Sequence, residues 1–280
     1  MASRILIMAG GTGGHVFPAL AVARELERRG HEVIWLGTRA GLEAELVPNA
    51  GFPMEWISIG GLRGKGILSW FMAPVRLTRA IWQSWLAMRR VRPALVLGMG
   101  GFVTGPGGFV AWLQRIPLLI HEQNAIAGLT NRILALFAQR ILQAFPGTFT
   151  GPKVVDAGNP VRAAIAALAE PQQRFGGRQG PVHLLVLGGS LGAAVLNETL
   201  PKAVALMEES KRPMIRHQTG KKNIQQAQHA YARENIKAEI IPFIDAMDEA
   251  LAWADFVLCR AGALTIAELT AAGVGAILVP

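Results

Sequence analysis

The chain has 280 residues, enough for two domains of ordinary size, and its one cysteine, Cys259, excludes an internal disulfide and a cysteine-based metal cluster. Hydrophobic residues make up 51% of the chain and the mean hydropathy is +0.32, yet no run of about 18 apolar residues occurs, so no transmembrane helix is predicted. The net charge of +9 predicts an anionic partner: a phosphate-bearing substrate, an acidic lipid or a nucleic acid.

The first predicted element is a strand, Ile5-Leu6-Ile7, which leads into residues 8–15 with their four glycines. An amphipathic helix is predicted over 17–29. Glycines allow positive φ and a close approach of backbone N–H groups to a ligand, and the helix N-terminus adds positive potential. The segment therefore predicts a site for an anion or a sugar oxygen, with the imidazole of His15 beside it. The alternative is that the glycines only form a tight turn.

A strand at 33–36, a short helix at 42–47, a strand at 54–59 and a basic glycine loop at 60–66 follow. Residues 67–90 are unusual, because aromatic and aliphatic residues occur with four arginines and no acid. This composition is typical of a helix at the surface of an anionic membrane, and the alternative is a core helix with buried tryptophans. The expected membrane contacts are Ile67, Leu68, Trp70, Phe71, Val75, Arg79, Trp82 and Trp112.

The next predicted elements are a strand at 94–98, a loop at 98–108, a helix through 111–113, a strand at 118–120, a helix at 129–137 and strands at 141–142 and 154–155. The polar run His121-Glu122-Gln123-Asn124 follows an apolar strand, at the position where open parallel sheets bind their ligands. We therefore expect Asn124 to be a site residue. The alternative is that these side chains cap the following helix.

Residues 170–180 are rich in Gln, Arg, Gly and Pro and predict a linker between two domains, 1–165 and 166–280. After it the strand–helix alternation starts again, and the loop Gly188-Gly189-Ser190-Leu191-Gly192 parallels the first glycine loop. Regular alternation predicts an α/β fold with two Rossmann-like parallel-sheet domains facing a cleft. Because the chain stops just after a predicted strand, we expect the second domain to be incomplete.

Several function classes are not supported by the motifs. A dinucleotide fingerprint needs a sixth-position glycine, but counting from Gly11 that position is Val16, and the second strand ends in Gly37-Thr38 without an acid. The chain has no P-loop lysine motif, which argues against an ATPase. No His/Asp cluster has metal-ligand spacing and no nucleic-acid recognition motif occurs, so neither a metal nor a nucleic-acid partner is predicted.

Five motifs then occur in order along the chain: Gly10-Gly11-Thr12-Gly13-Gly14-His15, His121-Glu122-Gln123-Asn124, Gly158-Asn159-Pro160-Val161-Arg162, Gly188-Gly189-Ser190-Leu191-Gly192 and Gly262-Ala263-Leu264-Thr265-Ile266-Ala267-Glu268. Together they resemble glycosyltransferase family 28, the N-acetylglucosaminyltransferases of bacterial peptidoglycan synthesis. The resemblance implies a GT-B fold, with the sugar donor bound mainly by the C-terminal domain and a lipid acceptor by the N-terminal domain. It implies inverting transfer of N-acetylglucosamine from UDP-N-acetylglucosamine to the C4 hydroxyl of the muramoyl residue of lipid I, forming lipid II, without a cofactor.

The resemblance also implies roles for single residues. The donor sugar would contact Thr12, Gly13, Gly14 and Asn124; the diphosphate would contact Arg162, Ser190 and the helix start Ala263, Leu264, Thr265, Ile266 and Ala267; the uracil would contact Ile244 and the ribose Glu268. His15 is the candidate general base and Glu122 the second candidate. The alternatives are an orienting or capping role for His15 and a solvated surface position for Glu268.

The implied partners are UDP-N-acetylglucosamine, lipid I, an anionic membrane surface and other cell-wall synthesis proteins. The implied location is peripheral, on the cytoplasmic face of the bacterial inner membrane, with a role in cell shape and cell division. Two alternatives stay open: a non-catalytic protein that binds a sugar nucleotide, and a related GT-B enzyme with another acceptor.

Overall fold

The structure is a computed structural model that describes residues 2–60, 72–189 and 193–279. The chain separates into two compact units, Met1–Pro160 and Val161–Pro280. Each unit is a parallel α/β sheet with helices packed on it, so the predicted fold class is confirmed. Residues 170–180, predicted as the linker, contain a short helix and lie inside the second unit.

The sheet of the first unit contains, among the described residues, β1 (Arg4–Met8), β2 (Glu32–Gly37), β3 (Met54–Trp56), β4 (Leu95–Gly98), β5 (Leu118–Glu122), β6 (Arg140–Gln143) and β7 (Val154–Asp156). Its helices are α1 (Gly13–Arg28), α2 (Glu43–Asn49), α3 (Ala73–Val91), α4 (Thr104–Leu113) and α5 (Leu129–Leu134). The strand order is β3-β2-β1-β4-β5-β6-β7, and all pairs are parallel. The direction of the connections reverses between β1 and β4, so the carboxyl ends of these two strands border the crevice where such sheets bind ligands.

Strand β1 shows why this sheet is covered on both faces. Leu6 and Met8 pack with α3 and α4 in one core cluster, whereas Ile5 and Ile7 pack with α1 in the other. Successive side chains of a strand point to opposite faces, so a continuous apolar run is buried on both sides. The continuous apolar run that predicts the first strand thus also explains why this strand lies inside the sheet with both faces covered.

The predicted loop 98–108 is wrong in its second half, because α4 already begins at Thr104. Its glycines serve packing. A Cβ on Gly107 would lie 2.2 Å from Met8 Sδ, and a Cβ on Gly108 would lie 2.7 Å from the methyl carbons of Leu134. These glycines let α4 lie close to β1 and α5. A glycine-rich sequence that is typical of a loop therefore belongs to a closely packed helix here.

The sheet of the second unit contains, among the described residues, β8 (His183–Leu187), β9 (Met214–Gln218), β10 (Glu239–Ile241), β11 (Phe256–Arg260) and β12 (Gly275–Val279). Its helices are α6 (Ala163–Ala166), α7 (Pro171–Phe175), α8 (Ala194–Ala205), α9 (Ile224–Arg233), α10 (Met247–Trp253) and α11 (Ala263–Ala272). The order β10-β9-β8-β11-β12 is parallel throughout and reverses between β8 and β11. The second crevice therefore lies at the carboxyl ends of these two strands, at Leu187 of β8 and Arg260 of β11.

Within the described ranges, no helix combines the length and the apolar character that crossing a membrane requires.

Candidate functional site

The first glycine loop connects β1 to α1, and the helix begins earlier than predicted, at Gly13. Gly11 has φ +91°, a conformation that glycine adopts readily. Thr12 is the extended N-cap residue and its side chain makes no capping hydrogen bond. A Cβ on Gly14 would approach only Thr12 Oγ1, at 3.8 Å. The fold therefore leaves open space at Gly14, as close approach of a ligand would require.

A buried carboxylate lies beneath this loop. Glu43, at the start of α2, is fully buried, and its Oε2 accepts a hydrogen bond from Gly11 N at 2.9 Å. Its Oε1 accepts from Thr38 N at 3.0 Å and Thr38 Oγ1 at 2.7 Å. Sequence reasoning missed Glu43, because an acid in the first turn of a short helix is ordinary and its partner lies 32 residues away.

His15 lies in the first turn of α1 and is held from two sides. Its Nδ1 lies 3.2 Å from Oε1 of Gln123, and Gln123 Nε2 donates to the Met99 carbonyl at 2.9 Å. Gly100, with φ +95°, lies against the ring, since a Cβ there would be 2.5 Å from His15 Nδ1. Gln123 stood in the polar run after β5 without a predicted role.

Glu122 forms the centre of a separate network at the end of β5. It is 2% exposed, and its Oε1 accepts from the backbone N and the Nδ2 of Asn124, both at 3.0 Å. Its Oε2 accepts from Gly128 N at 3.1 Å and Asn131 Nδ2 at 2.9 Å. The carboxylate thus organises the chain after β5 and orients the amide of Asn124.

His121 and Gln123 also hold the segment that ends the first unit. His121 Nε2 lies 2.9 Å from the Gly158 carbonyl, and Asn159 Nδ2 donates to the Gln123 carbonyl at 3.1 Å. Burial lowers the pKa of His121 from its ordinary value, although the Gly158 carbonyl and the charge of Glu122 oppose that shift. The third motif is therefore anchored to the second by hydrogen bonds.

In the second unit a neutral side chain supports the glycine loop after β8. Gln218 is 3% exposed; its Nε2 donates to the Gly189 carbonyl at 3.1 Å and its Oε1 accepts from Ile244 N at 3.1 Å. Gly189 has φ +80°. The predicted site residues at this loop and at Ile244 are thus linked through a glutamine that sequence reasoning missed. Ser190 lies outside the described residues.

The remaining predicted residues of this unit meet at α11. Gly262 is the extended N-cap residue of the helix that begins at Ala263. Glu268 is 7% exposed, and its Oε1 accepts from Arg162 Nε at 2.9 Å. Glu268 is therefore a buried, ion-paired side chain and not the solvated glutamate that the sequence left as an alternative.

Next to Gln218, a buried neutral pair occupies β9 and α9. His217 is fully buried, and its Nδ1 lies 2.9 Å from the hydroxyl of Tyr231. Burial lowers the pKa of His217 to about 4 and raises the pKa of Tyr231. Both side chains stay uncharged near neutral pH.

Four of the predicted membrane contacts lie on exposed positions of α3 and α4. Val75, Arg79 and Trp82 are exposed on α3, and Trp112 is exposed on α4. The Trp112 ring lies 4.7 Å from that of Phe137, centroid to centroid. The expected contacts Ile67, Leu68, Trp70 and Phe71 lie outside the described residues.

The exposed apolar residues continue from α4 onto α5 and its flanks. They are Phe102, Trp112, Leu113, Ile126, Leu129, Ile133 and Leu136. Residues 72–92, 104–117 and 126–141 include eight arginines and no acid. We name this surface of α3, α4 and α5 the basic apolar face.

In the part of the chain that the structure describes, no three His, Cys, Asp or Glu side chains form a group that could hold a metal ion. The structure instead gathers Thr12, Gly13, Gly14 and His15 with Gln123 at the first switch point. It gathers Gly189, Gln218 and Ile244 around the loop after β8, and pairs Arg162 with Glu268. Two doubly wound units, each with a glycine loop at its switch point, are typical of GT-B glycosyltransferases.

Comparison with known proteins narrows that class. The N-terminal domain model of glycosyltransferase family 28 matches residues 5–143, and the C-terminal domain model matches residues 183–280. A Nitrosococcus oceani protein named UDP-N-acetylglucosamine–N-acetylmuramyl-(pentapeptide) pyrophosphoryl-undecaprenol N-acetylglucosamine transferase is 60% identical, over 100% of this chain and 78% of its own length. A protein of the same name from Marinobacter nauticus is 58% identical, over 99% of this chain and 77% of its own length.

A solved structure agrees with these relatives. The crystal structure of Acinetobacter baumannii MurG superposes with a TM-score of 0.78 at 39% identity, covering 99% of this chain and 78% of that one. The chain belongs to glycosyltransferase family 28, in the group of the MurG enzymes.

Proposed function

We propose that this protein transfers N-acetylglucosamine from UDP-N-acetylglucosamine to the N-acetylmuramyl-pentapeptide of an undecaprenyl pyrophosphate, lipid I, and so forms lipid II. The observation that carries the proposal is the 60% identity, over the whole chain, to a relative named for that transfer. The glycine loops at both switch points support it, because a sugar nucleotide needs backbone donors for its phosphates and hydroxyls.

The second unit, which includes the whole predicted range 166–280, is the proposed donor-binding domain. The N-terminus of α11 and the loop after β8 supply backbone N–H groups for the diphosphate of UDP. Because Ile244 N already donates to Gln218, Ile244 would meet the uracil through its carbonyl. Glu268 would accept ribose hydroxyl hydrogens, and Arg162, paired with Glu268, would balance the charge of the diphosphate. Ser190 joins the diphosphate group in this proposal.

The first unit, within the predicted range 1–165, is the proposed acceptor domain. In the transfer step the C4 hydroxyl oxygen of the acceptor bonds to C1 of N-acetylglucosamine with inversion, and its proton passes to His15. The bond from C1 to the β-phosphate oxygen breaks, and its electron pair leaves with UDP. Thr12, Gly13, Gly14 and Asn124 would contact the sugar. We place His15 before Glu122 as the base, because the Glu122 carboxylate already accepts four N–H bonds.

The basic apolar face is the proposed contact with an anionic membrane, which presents the lipid acceptor. Exposed Val75, Trp82 and Trp112 would enter the interfacial zone while Arg79 and its neighbours meet lipid phosphates. We therefore propose a peripheral location on the cytoplasmic face of the inner membrane. We also propose other cell-wall synthesis proteins as partners at the membrane.

A transfer assay tests the function. The protein should move radiolabelled N-acetylglucosamine from its UDP donor to a lipid I analogue, and UDP-N-acetylglucosamine should raise the melting temperature more than NAD does. Donor binding without transfer would support the non-catalytic alternative, and stabilisation by NAD alone would overturn the proposal.

A flotation assay tests the membrane contact. Binding to vesicles containing anionic phospholipid should weaken with salt and fall in the double variant Val75→Ser/Trp82→Ser. The matched control is Val155→Ser/Val195→Ser, which removes two exposed valines outside the basic apolar face. Equal binding by both double variants would remove the basic apolar face from membrane recognition.

A further inference from the structure

We propose that Gln123 is a positioning residue that fixes His15 as the Nδ1–H tautomer and so leaves Nε2 as the proton acceptor. The inference rests on the proposed role of His15 as the base. Its physical basis is a chain of two hydrogen bonds that starts at a backbone carbonyl and ends at the imidazole.

The hydrogen bond to Met99 fixes the orientation of the Gln123 amide. Gln123 faces Met99 and His15, and the Met99 carbonyl can only accept a hydrogen bond. The amide group that meets it at 2.9 Å must therefore be the Nε2 donor, and turning the amide over would bring two oxygens together. Gln123 is 2% exposed, so water does not offer the amide an easy alternative partner.

The orientation of the Gln123 amide in turn determines which nitrogen of His15 carries the proton. With Nε2 of Gln123 committed to Met99, the atom 3.2 Å from His15 Nδ1 is the oxygen Oε1, which can only accept. The neutral imidazole carries one proton, so that proton must sit on Nδ1 and Nε2 must hold the lone pair. A neutral imidazole free in water prefers the opposite tautomer, so the arrangement selects against the intrinsic preference.

The backbone of Gly100 restricts the orientation of the His15 ring. Gly100 lies against the Nδ1–Cε1 edge of the imidazole, where a Cβ would come within 2.5 Å of Nδ1 and 2.7 Å of Cε1. Rotation of the ring about its axis is restricted on that side, so Nδ1 stays directed at Gln123. Within the described residues, Nε2 has no hydrogen-bond partner, as a base that must receive the proton of an acceptor hydroxyl requires.

The proton balance of the proposed reaction depends on this choice. The hydroxyl proton of the acceptor moves to Nε2 as the oxygen bonds to C1 and UDP departs with the C1–O electron pair. The resulting imidazolium donates from Nδ1 to Gln123 Oε1, and no rearrangement of the amide is needed. The wrong tautomer would present an N–H group to the hydroxyl and could not take its proton.

The decisive measurement is the nitrogen chemical shift of His15. In protein labelled with ¹⁵N-histidine at a pH where His15 is neutral, Nδ1 should show the shift of a protonated nitrogen and Nε2 that of an unprotonated one. The His15→Gln spectrum assigns the signals. In Gln123→Met, which keeps the volume but removes both hydrogen bonds, the Nε2–H tautomer should become the main form. A wild-type Nε2–H tautomer would overturn the inference whatever the activity.

Kinetics with rescue provides the second readout. Gln123→Met should lower kcat roughly ten- to a hundredfold with little change in KM for the donor. Gln123→Glu should restore the Nδ1–H tautomer and part of kcat, because a carboxylate or a carboxylic acid still presents an acceptor oxygen to Nδ1. Equal kcat in the wild type and Gln123→Met would overturn the inference.

Gln143→Met is the matched control. Gln143 is 3% exposed at the end of the neighbouring strand β6 and also makes two hydrogen bonds, to Asp156 and from Phe149 N. The Gln143→Met variant should be less stable than the wild type but should keep the same tautomer of His15 and the same kcat. An equal change of tautomer and kcat in Gln123→Met and Gln143→Met would mean that Gln123 has only a structural role. If His15→Gln retains full kcat, the base assignment fails separately, because the tautomer is read from the nitrogen shifts alone.

Discussion

The two units share one strand plan but bury different charges beside their glycine loops. In the first unit Glu43 and Glu122 are buried carboxylates whose hydrogen bonds, in the described residues, come from N–H and O–H groups and not from cations. In the second unit the loop is supported by the neutral amide of Gln218, and the buried Glu268 is paired with Arg162. The first glycine loop is thus supported by a buried carboxylate, that of Glu43, and the second by a neutral amide, that of Gln218.

This difference in charge predicts which part of the substrate each glycine loop binds, whereas the glycines alone do not distinguish the two loops. A carboxylate that already occupies Gly11 N would repel a phosphate at the first loop, whereas it tolerates an uncharged sugar. A glutamine beneath the second loop carries no such penalty, and the N-terminus of α11 adds attraction for an anion. We therefore expect the diphosphate at the second loop and the uncharged, reacting groups at the first.

The largest expected effect concerns the acid stability of the second unit. Its buried His217 has a pKa of about 4 when folded, below its ordinary value of 6.5. As the pH falls from 6.5 to 4 the unfolded chain binds a proton that the folded unit does not, so about 3 kcal/mol of stability should be lost. Urea unfolding with pulse-labelling hydrogen exchange, read separately for peptides of each unit, measures this loss.

The control for this prediction is His217→Gln, which keeps a possible partner for Tyr231 but does not titrate. Its second unit should lose much less stability between pH 6.5 and 4 than the second unit of the wild type. The first unit should respond less to acid, since Glu122 and the Gly158 carbonyl oppose the shift of His121. A steeper loss of stability with falling pH in the first unit than in the second would contradict the prediction.

The next effect tests the charge beneath the second loop. Gln218→Glu should weaken the binding of UDP by about 2 kcal/mol, roughly thirtyfold, because it places a carboxylate beside the proposed diphosphate site. Gln218→Met removes the same hydrogen bonds without adding charge and should weaken binding less. Titration calorimetry at low and high salt separates the effect of the added charge from that of the lost hydrogen bonds. Equal UDP affinities of Gln218→Glu and Gln218→Met would mean that charge beneath the second loop does not affect UDP binding.

The reciprocal substitution tests the first loop. Glu43→Gln replaces one acceptor oxygen by an N–H₂ group that faces Gly11 or Thr38 donors, so it should cost about 1.5 kcal/mol of stability and lower kcat. The affinity for UDP should not change. Calorimetry and a transfer assay on one preparation check this, and a UDP affinity that falls with kcat would place the diphosphate near the first loop.

The smallest effect concerns Gly14. Alanine there meets no neighbour closer than 3.8 Å and favours the helix, so Gly14→Ala should stabilise the first unit by about 0.5 kcal/mol while lowering transfer. Gly13→Ala is the contrast, because its Cβ would lie 3.0 Å from the Phe17 ring and should destabilise the fold. Thermal unfolding and the transfer assay distinguish them; full activity of Gly14→Ala would mean that no ligand approaches this position.

Most of the fold could be predicted from local patterns. The predicted strands at 33–36 and 118–120 lie within β2 and β5, since a continuous apolar run marks each of them. The error at Thr104–Leu113 arose because Gly105 to Gly108 read as a loop, whereas Gly107 and Gly108 provide space for a neighbouring strand and helix. A single sequence does not show which neighbour a glycine accommodates.

The candidate site was predictable where its residues lie within one motif. His15 and Asn124 stand beside glycines or at a strand end, and both signals are local. Glu43, Gln123 and Gln218 were given no role because each acts through a contact distant in sequence, at separations of 32, 108 and 29 residues. Supporting side chains of this kind are ordinary acids and amides until the sheet order brings them beneath a loop.

The close packing of α4 at its glycines has a consequence for the proposed contact with the membrane. A helix without side chains at Gly107 and Gly108 packs closely against β1 and α5, and the same helix carries the exposed side chain of Trp112. If the basic apolar face meets the membrane as proposed, a lipid-linked substrate would have only the length of its own headgroup with which to reach the site. In that arrangement the close packing of α4 would keep the site near the bilayer, and an added methyl group at either glycine would move it away.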